Sequence, residues 1–273
     1  MTKRFVYFGT PLVASTTLER LVAAQYTPAV VVTSPDAPRG RGLVLTPSPT
    51  RVLAESLGIP TLTPEKLTPE VVAAIAAYGA DYALCVAYGR IFPPALIESF
   101  PLGVLNIHYS LLPKHRGATP MEGALLSGDA ETGVTIQKMV HALDAGDIVA
   151  QEATPIGPTE TARELRPRLI ELGAELLVHT LPHYLEGSIT PVAQDESLAS
   201  HSGKFKKEDG LLDLSAPDLL NWYKYRAYAD TIGTHFFVDG VRHKITKATL
   251  VGGRFVIERV IPEGKSEVPY TRG

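Results

Sequence analysis

The stretch Val104-Leu105-Asn106-Ile107-His108-Tyr109-Ser110-Leu111-Leu112-Pro113-Lys114-His115-Arg116-Gly117 opens with polar groups at every second position of an apolar run. A strand points alternate side chains to opposite faces, so Asn106, His108 and Ser110 share one face while Leu105 and Ile107 pack on the other. Pro113 cannot donate to a ladder and ends the strand, and Arg116-Gly117 reads as loop. An amide donor beside an imidazole at a strand end suits the stabilisation of an oxyanion. The plainer reading is a strand end whose polar groups cap a loop. The rest of the chain has to decide between the two.

Outward from this strand, the chain up to about Leu185 alternates short apolar runs with helical patterns, as a parallel sheet covered by helices does. Phe5-Val6-Tyr7-Phe8 reads as a strand broken at Gly9-Thr10-Pro11, and Leu18, Leu21 and Val22 mark the stripe of a helix. Ala29-Val30-Val31-Val32-Thr33 is apolar or β-branched throughout, as a strand buried on both faces should be. Ser48-Pro49 sets an N-cap before a proline at the first helical position, Gly58 closes that helix, and Pro69 opens another through Tyr78. Residues 82–88 form a central strand, 93–99 a short helix and 119–127 another. Residues 135–140 and 148–153 read as late strands, paired as a hairpin across the loop 141–147. The box Thr161-x-x-Glu164 starts a helix to Leu185, in which Pro167 predicts a kink in the first turns.

Composition shifts after Gly187. Residues 188–210 are polar and include Ser200-His201-Ser202-Gly203 and Lys204-Phe205-Lys206-Lys207. The pattern predicts a first domain over 1–189, a linker over 190–210 and a small β-rich domain over 211–273. Within the last, a helix spans 217–228 and strands fall at 234–238, 241–248 and 254–260, with Asp239-Gly240 as a hairpin signal.

The 273 residues are 45% hydrophobic and 20% charged, the balance of an ordinary globular protein with a core. A net charge of −3 argues against coating nucleic acid through bulk positive charge, but leaves room for a local basic patch. The single cysteine, Cys85, lies in an apolar run and reads as a small buried hydrophobe, so neither a disulfide framework nor a zinc site is expected. No signal-peptide pattern or membrane-spanning run is visible, and a cytoplasmic protein with no metal is expected.

Leu143-Asp144-Ala145-Gly146-Asp147 is a tight loop between apolar strands. Its plain reading is a turn. If Asp144 reaches His108, the carboxylate favours a cationic imidazole, and Asn106 supplies a second hydrogen bond to a developing oxyanion. No nucleophilic Ser or Cys is needed in such a site. The matching chemistry is direct transfer of an acyl or one-carbon group to an amine through a tetrahedral intermediate. Gly9-Thr10-Pro11 lacks the fingerprint glycines of a dinucleotide site, which argues against hydride transfer. The loop Ser34-Pro35-Asp36-Ala37-Pro38-Arg39-Gly40-Arg41-Gly42 is too long for a simple strand-to-helix turn. Arg39 and Arg41 suit phosphate contacts there, with solvated surface charge as the equal alternative. His115 and Arg116 extend the same basic rim in this reading. The other six histidines show no ligand spacing, and Lys204, Lys206 and Lys207 read as a solvated face.

These residues together resemble the folate-dependent formyltransferases, most nearly the branch that acts on methionyl-tRNA. Asn-x-His-x-Ser-Leu-Leu-Pro-x-x-Arg-Gly at 106–117 and Leu-Asp-x-Gly-Asp at 143–147 belong to the wider group. More discriminating are Phe8-Gly9-Thr10-Pro11, Pro35-Asp36-x-Pro38-x-Gly40-Arg41-Gly42, Thr46-Pro47-Ser48-Pro49, Val86-Ala87-Tyr88-Gly89, the run 128–136 and the stretch 204–213. The likeness covers about residues 4–215. It implies an α/β, Rossmann-like catalytic domain, with a mostly parallel sheet and helices on both faces, and a C-terminal barrel-like domain that helps hold tRNA. It implies 10-formyltetrahydrofolate as formyl donor and initiator methionyl-tRNA as partner. Asn106, His108 and Asp144 would be the catalytic trio. The folate would lie against Val86, Tyr88, Gly89 and Ile91 and against Ser110, Leu111, Leu112 and Pro113. Arg41 and Arg39 would meet the tRNA.

Two departures bear on the acceptor. Leu43 and Val44 stand where the group usually has lysines, and Arg226-Ala227-Tyr228-Ala229-Asp230-Thr231-Ile232-Gly233 stands where it has an Asn-Pro-Trp-Pro-like turn. The C-terminal domain is also short, so its barrel is expected in reduced form. Three reactions are open at this point: formyl transfer to the amino group of methionyl-tRNA, formyl transfer to an amino-sugar nucleotide, and hydrolysis of formyltetrahydrofolate. The short C-terminal domain favours the second, but the Gly-Arg-Gly loop has no role on a small sugar nucleotide. A folate binder without catalysis would have no need of the trio.

Overall fold

A computed structural model of the protein describes residues 3–40 and 42–271. In chain order its elements are β1 (Phe5–Gly9), α1 (Leu12–Ala23), β2 (Val30–Val32), β3 (Ala37–Arg39), β4 (Val44–Thr46), α2 (Pro49–Ser56), β5 (Thr61–Leu62), α3 (Pro69–Ala76), β6 (Tyr82–Val86), α4 (Pro94–Glu98) and β7 (Val104–His108). There follow β8 (Arg116–Gly117), α5 (Pro120–Ser127), β9 (Glu131–Lys138), β10 (Ile148–Pro155), α6 (Ala162–Leu185), β11 (His201–Ser202), α7 (Asp218–Tyr228), β12 (His235–Val238), β13 (Val241–Val251), β14 (Arg254–Pro262) and β15 (Val268–Pro269). Two compact units form, each from three separate segments: 1–113, 134–152 and 169–198 in one, and 114–133, 153–168 and 199–273 in the other.

In the first unit the strands take the order β10-β9-β7-β6-β1-β2-β5. The pairs β7–β6, β6–β1, β1–β2 and β2–β5 are parallel, and β9 joins β7 antiparallel. Parallel strands buried on both faces explain the unbroken apolar runs in β1, β2 and β6. One face of this sheet carries Val6, Phe8, Val30, Val32, Ala83, Cys85 and Val104, packed with Ile75, Leu96, Phe92 and Phe100. The chain leaves β1 for β2 and β5 on one side and returns to β6 and β7 on the other. The crevice outside the C-terminal ends of β1 and β6 is therefore the topological switch point, where open α/β sheets bind ligands. Gly9 and Val86 pair there. A Cβ on Gly9 would stand 2.5 Å from that of Ala14 and 3.1 Å from the Val86 carbonyl oxygen, so only glycine lets the strand end lie this close to α1.

Local chemistry sets the helix starts as expected. The Ser48 hydroxyl accepts from the Arg51 amide at 3.0 Å, and Glu164 accepts from the Thr161 amide at 2.8 Å. Helix α6 continues through Pro167 to Leu185 as one element. Strand β9 begins at Glu131 and ends at Lys138, so Met139 and Val140, read as strand, lie beyond it. Among the described residues no helix is long and apolar enough to cross a membrane.

In the second unit α5 packs on α7, and β12-β13-β14-β15 form an antiparallel sheet over Trp222, Tyr225, Phe236, Ile245, Phe255 and Val260. Asp239 and Gly240, both at positive φ, make the tight turn between β12 and β13, with Val238 opposite Val241. Arg226 is buried, and its guanidinium donates to the carbonyl oxygens of Glu160 at 2.7 Å and Gly157 at 3.1 Å. Arg116-Gly117, read as loop, is instead the short strand β8, parallel to β11. The partner comes from a segment far along the chain, which local sequence cannot show.

Candidate active site

Strand β7 brings Asn106 and His108 to the C-terminal end of the sheet. Asn106 pairs with Cys85 of β6 on one side and Gln137 of β9 on the other, and His108 pairs with Thr135 of β9. Cross-strand partners share a face, so Cys85, Asn106, His108, Thr135 and Gln137 line one surface. Ile107 points the opposite way, towards α6, where Gly173 comes close to it and to Tyr109 and Val134. The alternation read in the sequence thus sets Asn106 and His108 on one face, past the apolar cluster that holds Cys85 and Val104, and Ile107 on the other. His108 is 5% exposed and Asn106 half-buried. Burial also pushes the Cys85 thiol up to about 12, so it stays protonated beside this polar face.

Asp144 stands in the turn after β9 with a φ of +50°, a left-handed conformation that costs energy outside glycine. Its Oδ1 lies 3.6 Å from His108 Nδ1. The two form an ion pair only when the imidazole is protonated, and the distance exceeds a direct hydrogen bond. Gln137 holds the same carboxylate oxygen, donating from Nε2 to Oδ1 at 2.8 Å, while its Oε1 accepts from the Gly146 amide at 3.3 Å. Gln194 donates from Nε2 to the carbonyl oxygens of Asp144 at 2.9 Å and Gly146 at 2.7 Å. The structure thus brings His108 and Asp144 together and sets Asn106 beside the glutamine that grips Asp144.

The segment Ser110–Pro113 follows directly. The Thr135 hydroxyl donates to the Ser110 carbonyl oxygen at 2.7 Å and accepts from the Leu112 amide at 3.1 Å. Gln151 adds bonds to the Leu112 carbonyl oxygen at 3.0 Å and to the Thr135 hydroxyl at 2.8 Å. Ser110 and Leu112 are buried, and Leu111 and Pro113 are half-buried. Beyond β6, Ala87 and Gly89 turn the backbone at positive φ. Val86 and Tyr88 direct their side chains into the core, where the Tyr88 ring meets Phe8 at 5.5 Å and Phe92 at 5.9 Å. Gly89 is open to solvent and Ile91 is 82% exposed. Sequence reasoning misses Gln137, Thr135, Gln151 and Gln194. The first two carry a signal, since they are polar at alternate positions of an apolar strand.

The loop 34–42 contains β3, which pairs antiparallel with β4: Ala37 with Thr46, Pro38 with Leu45, and Arg39 with Val44. Arg51 ties its base through Asp36 at 2.8 Å. Leu43, Val44 and Leu45 are 72%, 65% and 68% exposed and make an apolar tip on this loop. Arg41 lies outside the described residues. His115 and Arg116 do not extend a basic rim: both are buried, and His115 Nε2 sits 2.7 Å from Asp129 Oδ2. Among the described residues no three His, Cys, Asp or Glu side chains gather as a metal site would require.

The family described as "Formyl transferase" matches across residues 3–181. The methionyl-tRNA formyltransferase of Geobacter sulfurreducens is 39% identical over 91% of this chain and 79% of its own length. That of Synechococcus sp. (strain JA-2-3B'a(2-13)) is 42% identical over 90% of this chain and 77% of its own. An N-formyltransferase from Helicobacter canadensis, solved with folinic acid and dTDP-3-aminofucose, superposes with a TM-score of 0.69 over 92% of this chain and 88% of its own. At 18% identity that likeness speaks for the fold alone. With the site at the C-terminal end of a mostly parallel sheet and the family matched over most of the chain, the protein belongs to the formyl transferase family.

Proposed function

We propose that this protein transfers the formyl group of 10-formyltetrahydrofolate to the free amino group of initiator methionyl-tRNA. The observation that carries this reading is the meeting of His108 and Asp144 at 3.6 Å beside Asn106, on one face of the sheet at its switch point. Relatives near 40% identity bear the name of that activity, whereas the neighbour solved with dTDP-3-aminofucose shares only 18% of its residues.

A formyl amide is a poor electrophile, and attack on its carbon puts negative charge on its oxygen. Asn106 donates an N–H towards that oxygen, and His108 donates from its imidazolium. The site face is largely buried, so both act where charge is weakly screened. Asp144 keeps the imidazole oriented, takes up the proton that the attacking amine must lose, and returns it to N10 of the folate as the C–N10 bond breaks, so that tetrahydrofolate leaves neutral. An unperturbed α-amino group, with a pKa of ~7.7–8.0, is substantially neutral near neutral pH and needs little further activation.

A pterin needs an apolar slot edged by backbone donors and acceptors. Exposed Ile91 and the open turn at Gly89, together with half-buried Leu111 and Pro113, offer that chemistry at the switch point. Folate analogues are therefore expected to raise the melting temperature, with saturation at 100 times Kd adding about 2.7 kcal/mol. A melting curve unmoved by saturating analogue would remove the donor site from this account.

Acceptor binding is assigned to the 34–46 hairpin, with Arg41 and Arg39 on phosphates. Its apolar tip and the net charge of −3 leave few phosphates to neutralise. The affinity for tRNA should thus fall only shallowly with salt, because the slope follows the number of neutralised phosphates. Arg41→Ala is expected to raise KM for charged tRNA while leaving folate binding intact. Unchanged formylation of charged tRNA by Arg41→Ala would take the hairpin out of acceptor recognition.

A further inference from the structure

We propose that Gln137 is a positioning residue for the transfer, holding the Asp144 carboxylate in register with His108, with Gln194 bracing the turn that carries it. This inference rests on the formyl-transfer reading and extends it to residues outside the trio. Gln137 donates to Asp144 Oδ1 at 2.8 Å, the same oxygen that stands 3.6 Å from His108. Strand β9 fixes where Gln137 begins, because its backbone pairs directly with Asn106. Its side-chain oxygen is occupied by the Gly146 amide, which settles the orientation of the carboxamide: nitrogen to Asp144, oxygen to Gly146. One buried side chain thereby links the oxyanion donor's strand to the turn bearing the carboxylate.

The turn needs such a brace. Asp144 sits at φ +50°, a conformation that persists only where its surroundings over-determine it. Gln194 supplies the second grip, bridging two carbonyl oxygens of the turn with one amide nitrogen. Both glutamines are neutral, so neither can exchange protons with Asp144 or compete with the imidazole for its charge. His108 faces Asp144 from β7 and the Cys85 thiol from β6, while Gln137 approaches from β9 and Gln194 from the chain after α6. His141 and Asp147 flank the turn itself.

Two substitutions of similar size separate positioning from packing. Gln137→Met removes the donor but fills the space, and Gln137→Glu places a second carboxylate against Asp144. The side-chain carboxyl resonance of Asp144, followed by carbon NMR at neutral pH, is expected to shift in both variants, because the carboxylate loses its donor in one and meets a like charge in the other. Turnover at neutral pH should fall roughly 10–100-fold in Gln137→Met. In an Asp144→Ala background Gln137→Met should add no further loss, since its effect runs through that carboxylate. Folding of each variant is checked by its melting temperature. An unmoved Asp144 resonance in both variants, or an equal loss in the Asp144→Ala background, overturns the proposal. The NMR measurement needs no turnover, so it judges Gln137 even if the wild-type protein formylates no amine, an outcome that would sink the formyl-transfer reading instead.

Discussion

Asn106→Ala and His108→Ala are each expected to lower formyl transfer by roughly 10²–10³-fold, the usual cost of losing one preorganised donor to a developing oxyanion. Asp144→Ala should fall in the same range, because the imidazole loses the charge that orients it. The three side chains occupy one partly dry face, so bulk water cannot substitute for the missing donor at the moment of reaction. None of them anchors the aromatic core around Phe8, so the thermal melts should stay close to that of the wild type. Single-turnover rates with the donor saturating measure the effect. Near wild-type turnover in any one variant would remove that residue from the chemistry.

Gly146→Ala is the second large effect. A Cβ at this position would lie 1.8 Å from the backbone carbonyl oxygen of Lys138, and no side-chain rotation can relieve a clash with main chain. The turn must shift by more than an ångström, carrying Asp144 with it and breaking the Gly146 bond to Gln137. A misplacement of ~1 Å can cost about 10²-fold in rate, so turnover is expected to fall at least that far, together with the melting temperature. Gly203→Ala is the control: its Cβ would meet nothing within 4 Å, and wild-type stability is expected. Equal behaviour of the two variants would mean that the turn yields freely, and the account of Asp144 would then need another support.

Much of the site is legible in the amino-acid sequence, because a strand obeys a period of two. Asn106 and His108 announce a polar face by alternation alone, and Ile107 announces the opposite one. Gln137 carries the same signal, since Thr135-x-Gln137 repeats the alternation in an apolar strand, but it becomes informative only once β9 is known to lie against β7. Gln194 has none. It acts through carbonyl oxygens 48 and 50 residues earlier in the chain, and neither periodicity nor turn chemistry reaches so far. His115 and Arg116 mislead because charged and titratable groups are ordinarily exposed. Here a carboxylate just past the end of α5 makes burial of His115 tolerable. The short strand β8 is invisible for the same reason as Gln194, since its pairing partner lies in a distant segment.

The position of Arg226 shows how a departure from a familiar pattern can still be structural. Where the sequence departs from the resemblance, a helix end sets the Arg226 guanidinium against two carbonyl oxygens, at 157 and 160. Burial lowers the pKa of that guanidinium from its ordinary value, and the two carbonyl bonds offset part of the desolvation.

The most direct measurement follows the labelled formyl carbon of 10-formyltetrahydrofolate when the protein meets charged initiator tRNA and an amino-sugar nucleotide together, in equal amounts. The label is expected on the methionyl α-amino group, at a rate that collapses in His108→Ala. Label on the sugar amine, or release of free formate with both acceptors unmodified, would rule out methionyl-tRNA as the acceptor.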